Sequence, residues 1–288
     1  MKEITILSGK GGTGKTTITA ALASVAKNAV YCDNDVDAAD LHLIFKPKIN
    51  EEYTFFSGWK ANINTDKCTN CGLCTDYCRF KAIQVNLVGQ LVINHFHCEG
   101  CRLCERICPE EAITSERNDK NQWFVSTSRL GMLVHAQMAA GEENSSKLVT
   151  QVRKRAKEIA KENGAGYIIN DGPPGIGCAT ISSLTGTDMV LIVTEPTKSG
   201  LHDTERLLDL IESFKIKAYV VINKYDLNRE IATTMQNYLD SRNVPLVAKI
   251  PFNPIMVESM LEGKTVIEYS SDPEITTNIH KIWNSIKN

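Results

Sequence analysis

The 288-residue chain has no run of about eighteen apolar residues, so it offers no membrane-spanning helix. It has no excess of either charge: 32 Lys and Arg against 34 Asp and Glu leave a net charge of −2. That balance removes the bulk electrostatic footprint of a nucleic-acid binder and leaves only a local patch open. A positively charged leader with a cleavage site is also missing, the chain beginning as Met-Lys-Glu-Ile-Thr-Ile-Leu. A cytoplasmic protein is expected, with no membrane anchor and no nucleic-acid partner. At 42% hydrophobic and 23% charged residues, wholesale disorder and fibrous repeats are excluded too.

Cysteine, by contrast, is abundant. Ten are present, and eight of them fall between Cys68 and Cys108. In a small secreted domain such a number would mean disulfides; in a chain of this size without a secretory leader, and crowded into one stretch, it points to metal ligation.

On either side of that stretch, short apolar runs alternate with helical patterns. Strands are expected at Glu3–Ser8, Tyr167–Asn170, Met189–Val193, Ala218–Ile222 and Leu246–Ile250. A helix is expected over Gly14–Lys27. Leu148, Val152, Ala156 and Ile159 repeat at helical spacing, as do Leu201, Thr204, Leu208 and Ile211. Ile275, Ile279, Ile282 and Ile286 form one more stripe behind a Ser-Asp-Pro-Glu helix start, and its weakly charged polar face suits a core helix better than a membrane anchor. Strands alternating with helices imply a parallel sheet covered on both faces. The alternation stops between about Gly58 and Asn118.

That interval is an internal repeat. Cys68, Cys71, Cys74 and Cys78 recur 30 positions later as Cys98, Cys101, Cys104 and Cys108, and Leu73, Ala82 and Ile83 recur as Leu103, Ala112 and Ile113. Each copy reads Cys-x2-Cys-x2-Cys-x3-Cys. Three closely spaced thiolates can hold three corners of a cubane cluster, whereas the fourth lies too far round and serves the neighbouring cluster. One 4Fe-4S cluster would take Cys68, Cys71, Cys74 and Cys108; the other, Cys98, Cys101, Cys104 and Cys78. Zinc is the competing reading, but zinc sites usually draw cysteines from separated pairs. The segment resembles bacterial-type two-cluster ferredoxins, departing from them at Arg79, where that family often has proline. A pair of centres suits electron transfer, and a purely structural role is the alternative. Of the remaining cysteines, Cys32 ends a strand and reads as packing. Cys178 follows the Gly-rich stretch from Gly172, near the nucleotide loop, where a redox or transfer role is the lesser reading.

Gly9-Lys10-Gly11-Gly12-Thr13-Gly14-Lys15-Thr16 matches GxxxxGKT between a strand and a helix, the context in which such a loop binds phosphates. Its backbone N–H groups, with Thr17 just inside the helix, can face phosphate oxygens; Lys15 contacts the β/γ phosphates and the Thr16 hydroxyl meets Mg2+. Gly9, Asp33, Asp171, Pro196, Asn223 and Pro251 all follow apolar strand segments, so an open parallel sheet would line one crevice with them.

With Lys10 included, the loop reads Lys-Gly-Gly-x-Gly-Lys-Thr. Together with Tyr31-Cys32-Asp33-Asn34-Asp35-Val36-Asp37 and with Asn170-Asp171-Gly-Pro-Pro-Gly, it resembles the deviant P-loop ATPases typified by MinD, ParA, Mrp and the nitrogenase iron protein. The resemblance implies an α/β fold with a parallel central sheet, of the SIMIBI type, carrying an inserted α+β ferredoxin domain: nucleotide domain 1–57 and 119–288, insert 58–118. A hairpin at Gln122–Met138 fits either side of the second junction. The resemblance further implies that Lys10 reaches a partner's nucleotide in a nucleotide-dependent homodimer, that Asp33 and Asp171 serve Mg2+, and that Asp35 positions water. Asn223-Lys224-Tyr225-Asp226 reads as the NKxD of guanine binders, whereas the resemblance assigns Asn223 to adenine and favours ATP. The leading expectation is an ATPase coupling nucleotide state to electron transfer through two 4Fe-4S clusters toward a redox partner. Cluster assembly for an apoprotein and a non-redox, MinD/ParA-like spatial organiser are the alternatives.

Overall fold

The computed structural model describes residues 1–139 and 144–287. In chain order its elements are β1 (Lys2–Ser8), α1 (Lys15–Val25), β2 (Ala29–Asp33), α2 (Leu41–Phe45), β3 (Lys48–Phe55), β4 (Trp59–Ile63), α3 (Leu73–Tyr77), β5 (Ile83–Val85), β6 (Leu91–Ile93), α4 (Leu103–Ile107) and β7 (Ile113–Arg117). There follow β8 (Asn121–Ser128), β9 (Gly131–Gln137), α5 (Ser145–Glu162), β10 (Tyr167–Pro174), α6 (Cys178–Leu184), β11 (Met189–Thr194), α7 (Lys198–Ser213) and β12 (Lys217–Asn223). A 3-10 turn at Tyr225–Asn228 leads into α8 (Arg229–Ser241), β13 (Leu246–Ile250), α9 (Ile255–Leu261), α10 (Val266–Tyr269) and α11 (Pro273–Ile286).

Two compact units result. The first is Met1–Tyr53, Trp123–Gln137 and Ser145–Asn288; the second is Thr54–Gln122 with Met138–Asn144. The first is built on a nine-stranded sheet in the order β13-β12-β11-β1-β10-β2-β9-β8-β3. From β13 across to β9 the strands run parallel. β11 is an almost wholly apolar run, and both it and β1 from Glu3 to Ser8 are buried, as suits strands covered on both faces. The hairpin formed by β8 and β9 belongs to this unit, because β9 pairs with β2 at Val30↔Met132 through Cys32↔Val134.

Helix patterning decides what covers the sheet. Leu148, Val152, Ala156 and Ile159 of α5 are buried. In α7, Thr204, Leu208 and Ile211 are buried but Leu201 is only half-buried. The four isoleucines of α11 lie in the main core, each worth about 1.5–3 kcal/mol relative to exposure, and Asp272 caps the helix by accepting from the Glu274 and Ile275 N–H groups. The apolar face of α11 is therefore already occupied.

One expectation fails at β10. The strand expected at Tyr167–Asn170 does not stop there but continues through Pro174, which pairs with Ser8 after a shift in register. Gly172 makes this possible: a Cβ there would overlap the Leu7 side chain, so the missing side chain lets β10 lie against β1.

The second unit holds two small antiparallel ladders, β4 with β7 and β5 with β6, and two one-turn helices. Its halves repeat at the 30-residue interval: Ile63 pairs with Ile113 as Ile93 pairs with Ile83. The Asn64 N–H donates to the Ala112 carbonyl at 2.8 Å, and the Asn94 N–H to the Ala82 carbonyl at 2.7 Å. Left-handed backbone recurs in step at Asn70 and Gly100, Gly72 and Arg102, and Lys81 and Glu111. The unit reaches beyond 58–118 because the β4–β7 ladder continues outward through Ser57 N–H to Asn118 O at 3.1 Å, and the Asn121 side chain accepts from the Ala139 N–H at 2.9 Å.

Candidate nucleotide-binding site and cysteine pockets

In the first unit β1 delivers the Gly-rich loop to the carboxyl edge of the sheet. The loop closes on α1 through Gly14, whose φ of 92° belongs to the left-handed region and where a Cβ would overlap the Asn223 amide. A cavity of about 680 Å³ opens over it, lined by Gly11 through Thr17, by Asp35 and Asp37, and by the far wall of Met256, Val257 and Met260. Thr13 is buried, and its hydroxyl has no hydrogen-bond partner. A buried, unspent hydroxyl beside phosphate-binding N–H groups fits an anionic ligand.

Lys15 and the carboxylates meet at the base. Lys15 Nζ lies 3.1 Å from Asp171 Oδ2 and 3.5 Å from Asp35 Oδ2. The Thr16 hydroxyl donates to Asp171 Oδ2 at 2.6 Å, and Thr19, not anticipated from the sequence, donates to Asp171 Oδ1 at 2.8 Å. Asp33 sits deeper, accepting from the Asp35 N–H and the Leu41 N–H, both at 3.1 Å. Burial, then the neighbouring Asp171, drive the Asp33 carboxyl well above its usual range. Burial also lifts Asp35, to about 6, against the pull of Lys15. Burial opposes the charge on Lys15, but Asp171, Asp35 and Asp33 outweigh it and raise the ammonium above its ordinary value. Three carboxyl groups thus share one lysine, and the raised Asp33 and Asp35 carboxyls mark a site that a further cation would favour in its ionised form. The oxygen donor set of Thr16, Asp33 and Asp171 fits a hard divalent cation such as Mg2+.

Not every anticipated residue reaches the cavity. Of the six strand-end residues expected to line one crevice, Asn223 does so, whereas Gly9, Asp33, Asp171, Pro196 and Pro251 are not among the lining residues, Asp33 and Asp171 being fully buried. Gly9 instead serves packing, since a Cβ there would overlap Asp203 on α7. Lys10 turns away: its Nζ is 2.6 Å from Glu195 Oε1 and within 3.4 Å of the Thr197 and Ser199 hydroxyls. Glu195 also binds Lys224 at 3.3 Å, and these two cations hold its carboxyl below the ordinary range although burial pushes the other way. Asn223 Nδ2 donates to the Thr13 carbonyl at 2.8 Å, pinning the loop, and Lys224 donates to the Gly12 carbonyl at 3.0 Å. Asp226 does not line the cavity, and its carboxylate accepts from the Phe252 N–H at 2.6 Å. Cys178 does line it, as does Ser145, which nothing in the sequence singled out.

The second unit gathers the clustered cysteines into two pockets. Cys68, Cys71, Cys74 and Cys108 line one; Cys78, Cys98, Cys101 and Cys104 line the other, with Cys74 between them. Each pocket thus combines three thiols of one half of the repeat with the last thiol of the other, and the second is bordered by Cys74 as well. The cause is local: each motif places its fourth cysteine at the end of a one-turn helix, and the strand exchange carries that end toward the other half. Burial, and then the nearby Cys98 and Cys101 thiols, push Cys104 up to about 11. The Ala112 N–H donates to Cys108 Sγ at 3.3 Å. Among the described residues, no three His, Cys, Asp or Glu side chains are gathered as a single-ion site. A soft, all-sulfur donor set arranged around a pocket fits an iron-sulfur cluster in chemistry.

Sheet order, loop and carboxylate edge together define the first unit as a P-loop nucleotide-binding fold. The family model for the CobQ/CobB/MinD/ParA nucleotide binding domain matches residues 4–266, and the chain belongs to that family. It is 36% identical over 232 residues to the uncharacterized protein MJ0578 of Methanocaldococcus jannaschii, covering 78% of this chain and 79% of that one. Among solved structures it resembles the septum site-determining protein MinD of Pyrococcus horikoshii in complex with Mg-ADP: TM-score 0.59, 20% identity, 99% of this chain and 95% of that one. It also resembles a Cyanothece McdA variant in complex with ATP: TM-score 0.62, 14% identity, 99% and 96% coverage. At these identities the structural likeness speaks for the fold. Among the described residues no helix is long and apolar enough to cross a membrane.

Proposed function

We propose that the chain is an ATP-driven switch of the MinD/ParA kind, which binds Mg-ATP at the Gly-rich loop, pairs with a second copy and hydrolyses the terminal phosphate. The observation that carries this is the Lys15–Asp171–Thr16 constellation beneath a loop whose Thr13 hydroxyl is buried and unspent. Thr16, Asp171 and Asp33 would hold Mg2+, which neutralises phosphate charge when bound. Lys15 would neutralise the β/γ phosphates, Asp35 orient the attacking water, and Lys10 act across the dimer once released from Glu195. ATP is preferred to GTP in this reading because Asp226, the residue that would select guanine, is already bound to the Phe252 backbone. The test is phosphate release with Mg-ATP: the wild type turns over and Lys15→Ala does not. Equal turnover by both would remove the scheme.

Relatives that bear the MinD name are described as septum site-determining proteins, one of them in complex with Mg-ADP, and a MinD-like, non-redox organiser is the reading they support most directly. A second reading adds to it, on the crossed cysteine pockets. Here the second unit carries two 4Fe-4S clusters, one on Cys68, Cys71, Cys74 and Cys108 and one on Cys98, Cys101, Cys104 and Cys78, whose exchange with a redox or apoprotein partner depends on nucleotide state. Such clusters supply one-electron chemistry when bound. Iron and sulfide analysis of anaerobically purified protein separates the two readings: their absence leaves the switch alone.

A further inference from the structure

The two halves of the cysteine unit match in backbone but not in charge. Lys60 on β4 donates to the carbonyls of His95 and Cys98, at 2.9 and 3.2 Å, and so stands on the loop that carries Cys98, Cys101 and Cys104. Among the described residues its ammonium meets these carbonyl oxygens and no carboxylate. The residue one repeat away is Gln90, which carries no charge. Beside Lys60, the Trp59 ring lies under the Arg102 guanidinium at 4.2 Å, and a Cβ on Gly100 would overlap the Trp59 carbonyl, so this strand presses directly on the second loop. The repeat equivalents of Trp59, Gly100 and Arg102 are Gly89, Asn70 and Gly72. The first loop is held instead by the neutral Asn70 side chain, which accepts from the Leu91 N–H at 3.1 Å. The pocket linings differ in the same sense: the first has Glu110 as its one charged residue, whereas the second has Glu99 and Arg102.

We propose that Lys60 makes the two cysteine sets unequal, so that the set of Cys98, Cys101, Cys104 and Cys78 is the one reduced first. The inference rests on the two-cluster reading. Adding an electron to a cluster makes it more negative, and a fixed cation nearby lowers the energy of that state; net charge and hydrogen bonding around the sulfurs are the levers that set such potentials. A one-electron donor of the dithionite class loses one electron, and the cluster on the second set passes from the 2+ to the 1+ state. No bond or proton is exchanged. The second set is then the lower-energy resting place for a single electron.

The test uses the full chain, purified anaerobically and titrated with dithionite while reduction is followed by EPR. Two waves are expected, and Cys101→Ser, which removes a ligand from the second set, abolishes the wave of higher potential. Lys60→Met shifts that wave downward by about tenfold in its equilibrium constant, about 59 mV for a one-electron couple. Lys60→Arg leaves it in place, and Gln90→Lys raises the other wave toward it. Protein with full iron and sulfide whose upper wave ignores Lys60→Met, or whose lower wave moves instead, overturns the inference alone. Protein that holds no iron overturns the two-cluster reading and the inference with it. Circular dichroism of each variant distinguishes an electrostatic change from a loss of fold.

Discussion

Lys10 Nζ lies 2.6 Å from Glu195 Oε1, so the lysine expected to serve a partner's nucleotide is engaged within its own subunit. Glu195 closes the P-loop to the β11 edge by holding Lys224 as well, and Lys224 in turn reaches the Gly12 carbonyl. For Lys10 to cross to a second copy, this pair must break. Both side chains are partly exposed, at 31% and 18%, which limits the pair to roughly 1 kcal/mol or less. Glu195→Gln is therefore expected to favour the ATP-bound dimer by about threefold to fivefold. Sedimentation with a non-hydrolysable ATP analogue measures it, and an unchanged dimerisation constant would show that the pair exerts no restraint.

Thr19 supplies a second prediction. Its hydroxyl is buried between Asp171 Oδ1 at 2.8 Å and the Lys15 carbonyl at 3.0 Å, holding the carboxylate from the side opposite Thr16. Thr19→Val keeps the volume and removes one donor from a buried carboxylate, at a cost of about 1–3 kcal/mol in stability. Because Asp171 would also lose its orientation toward Mg2+, phosphate release is expected to fall at least tenfold, with the Mg2+ concentration for half-maximal rate raised. A stability loss with unaltered Mg2+ dependence would confine Thr19 to the fold.

The residues that could be read ahead and those that could not differ in kind. Lys15, Thr16 and Asp171 sit on a loop and a strand end whose local pattern fixes their surroundings, and the structure brings them together. The cysteine repeat likewise carries its own geometry, since a 30-residue symmetry dictates which strand ends meet. Thr19 and Glu195 were invisible because their partners lie 152 and 185 positions away, and no local pattern encodes such a distance. β10 runs past the expected Tyr167–Asn170 for the opposite reason: glycine and proline are turn signals, but Gly172 answers to the approach of β1 and not to a turn.

His135 makes stability depend on pH. It is buried on β9, stacked between His42 and Phe124, with its Nε2 at 3.0 Å from the Ser126 hydroxyl. Burial, and then His42, depress its pKa to about 4, so the folded state keeps it neutral where the unfolded chain takes up a proton. The unfolded state binds more protons between about pH 6.5 and 4, and stability must fall as pH drops through that window. The loss is on the order of 2–3 kcal/mol at the acid end. Thermal melts of His135→Gln, which cannot titrate, should lose less stability than the wild type over the same range; parallel curves would exclude His135 as the cause.

Nucleotide choice separates Asn223 from Asp226, two residues of one motif with different work. In guanine selection the aspartate of NKxD must present its carboxylate to the base, but here Asp226 Oδ1 accepts from the Phe252 N–H at 2.6 Å and lies outside the cavity lining. Asn223 does line the cavity, and its amide pins the loop at the Thr13 carbonyl. Asp226→Ala should therefore leave the ratio of ATP to GTP affinity unchanged while loosening the segment that follows β13. Asn223→Ala should weaken both nucleotides, since a lost hydrogen bond to the loop costs about 1 kcal/mol, roughly fivefold in affinity. Competition of ATP and GTP for a fluorescent nucleotide reads both variants. Displacement that favours GTP in the wild type, and loses that preference in Asp226→Ala, would mean that the Phe252 contact yields to the base and that the chain is a guanine binder.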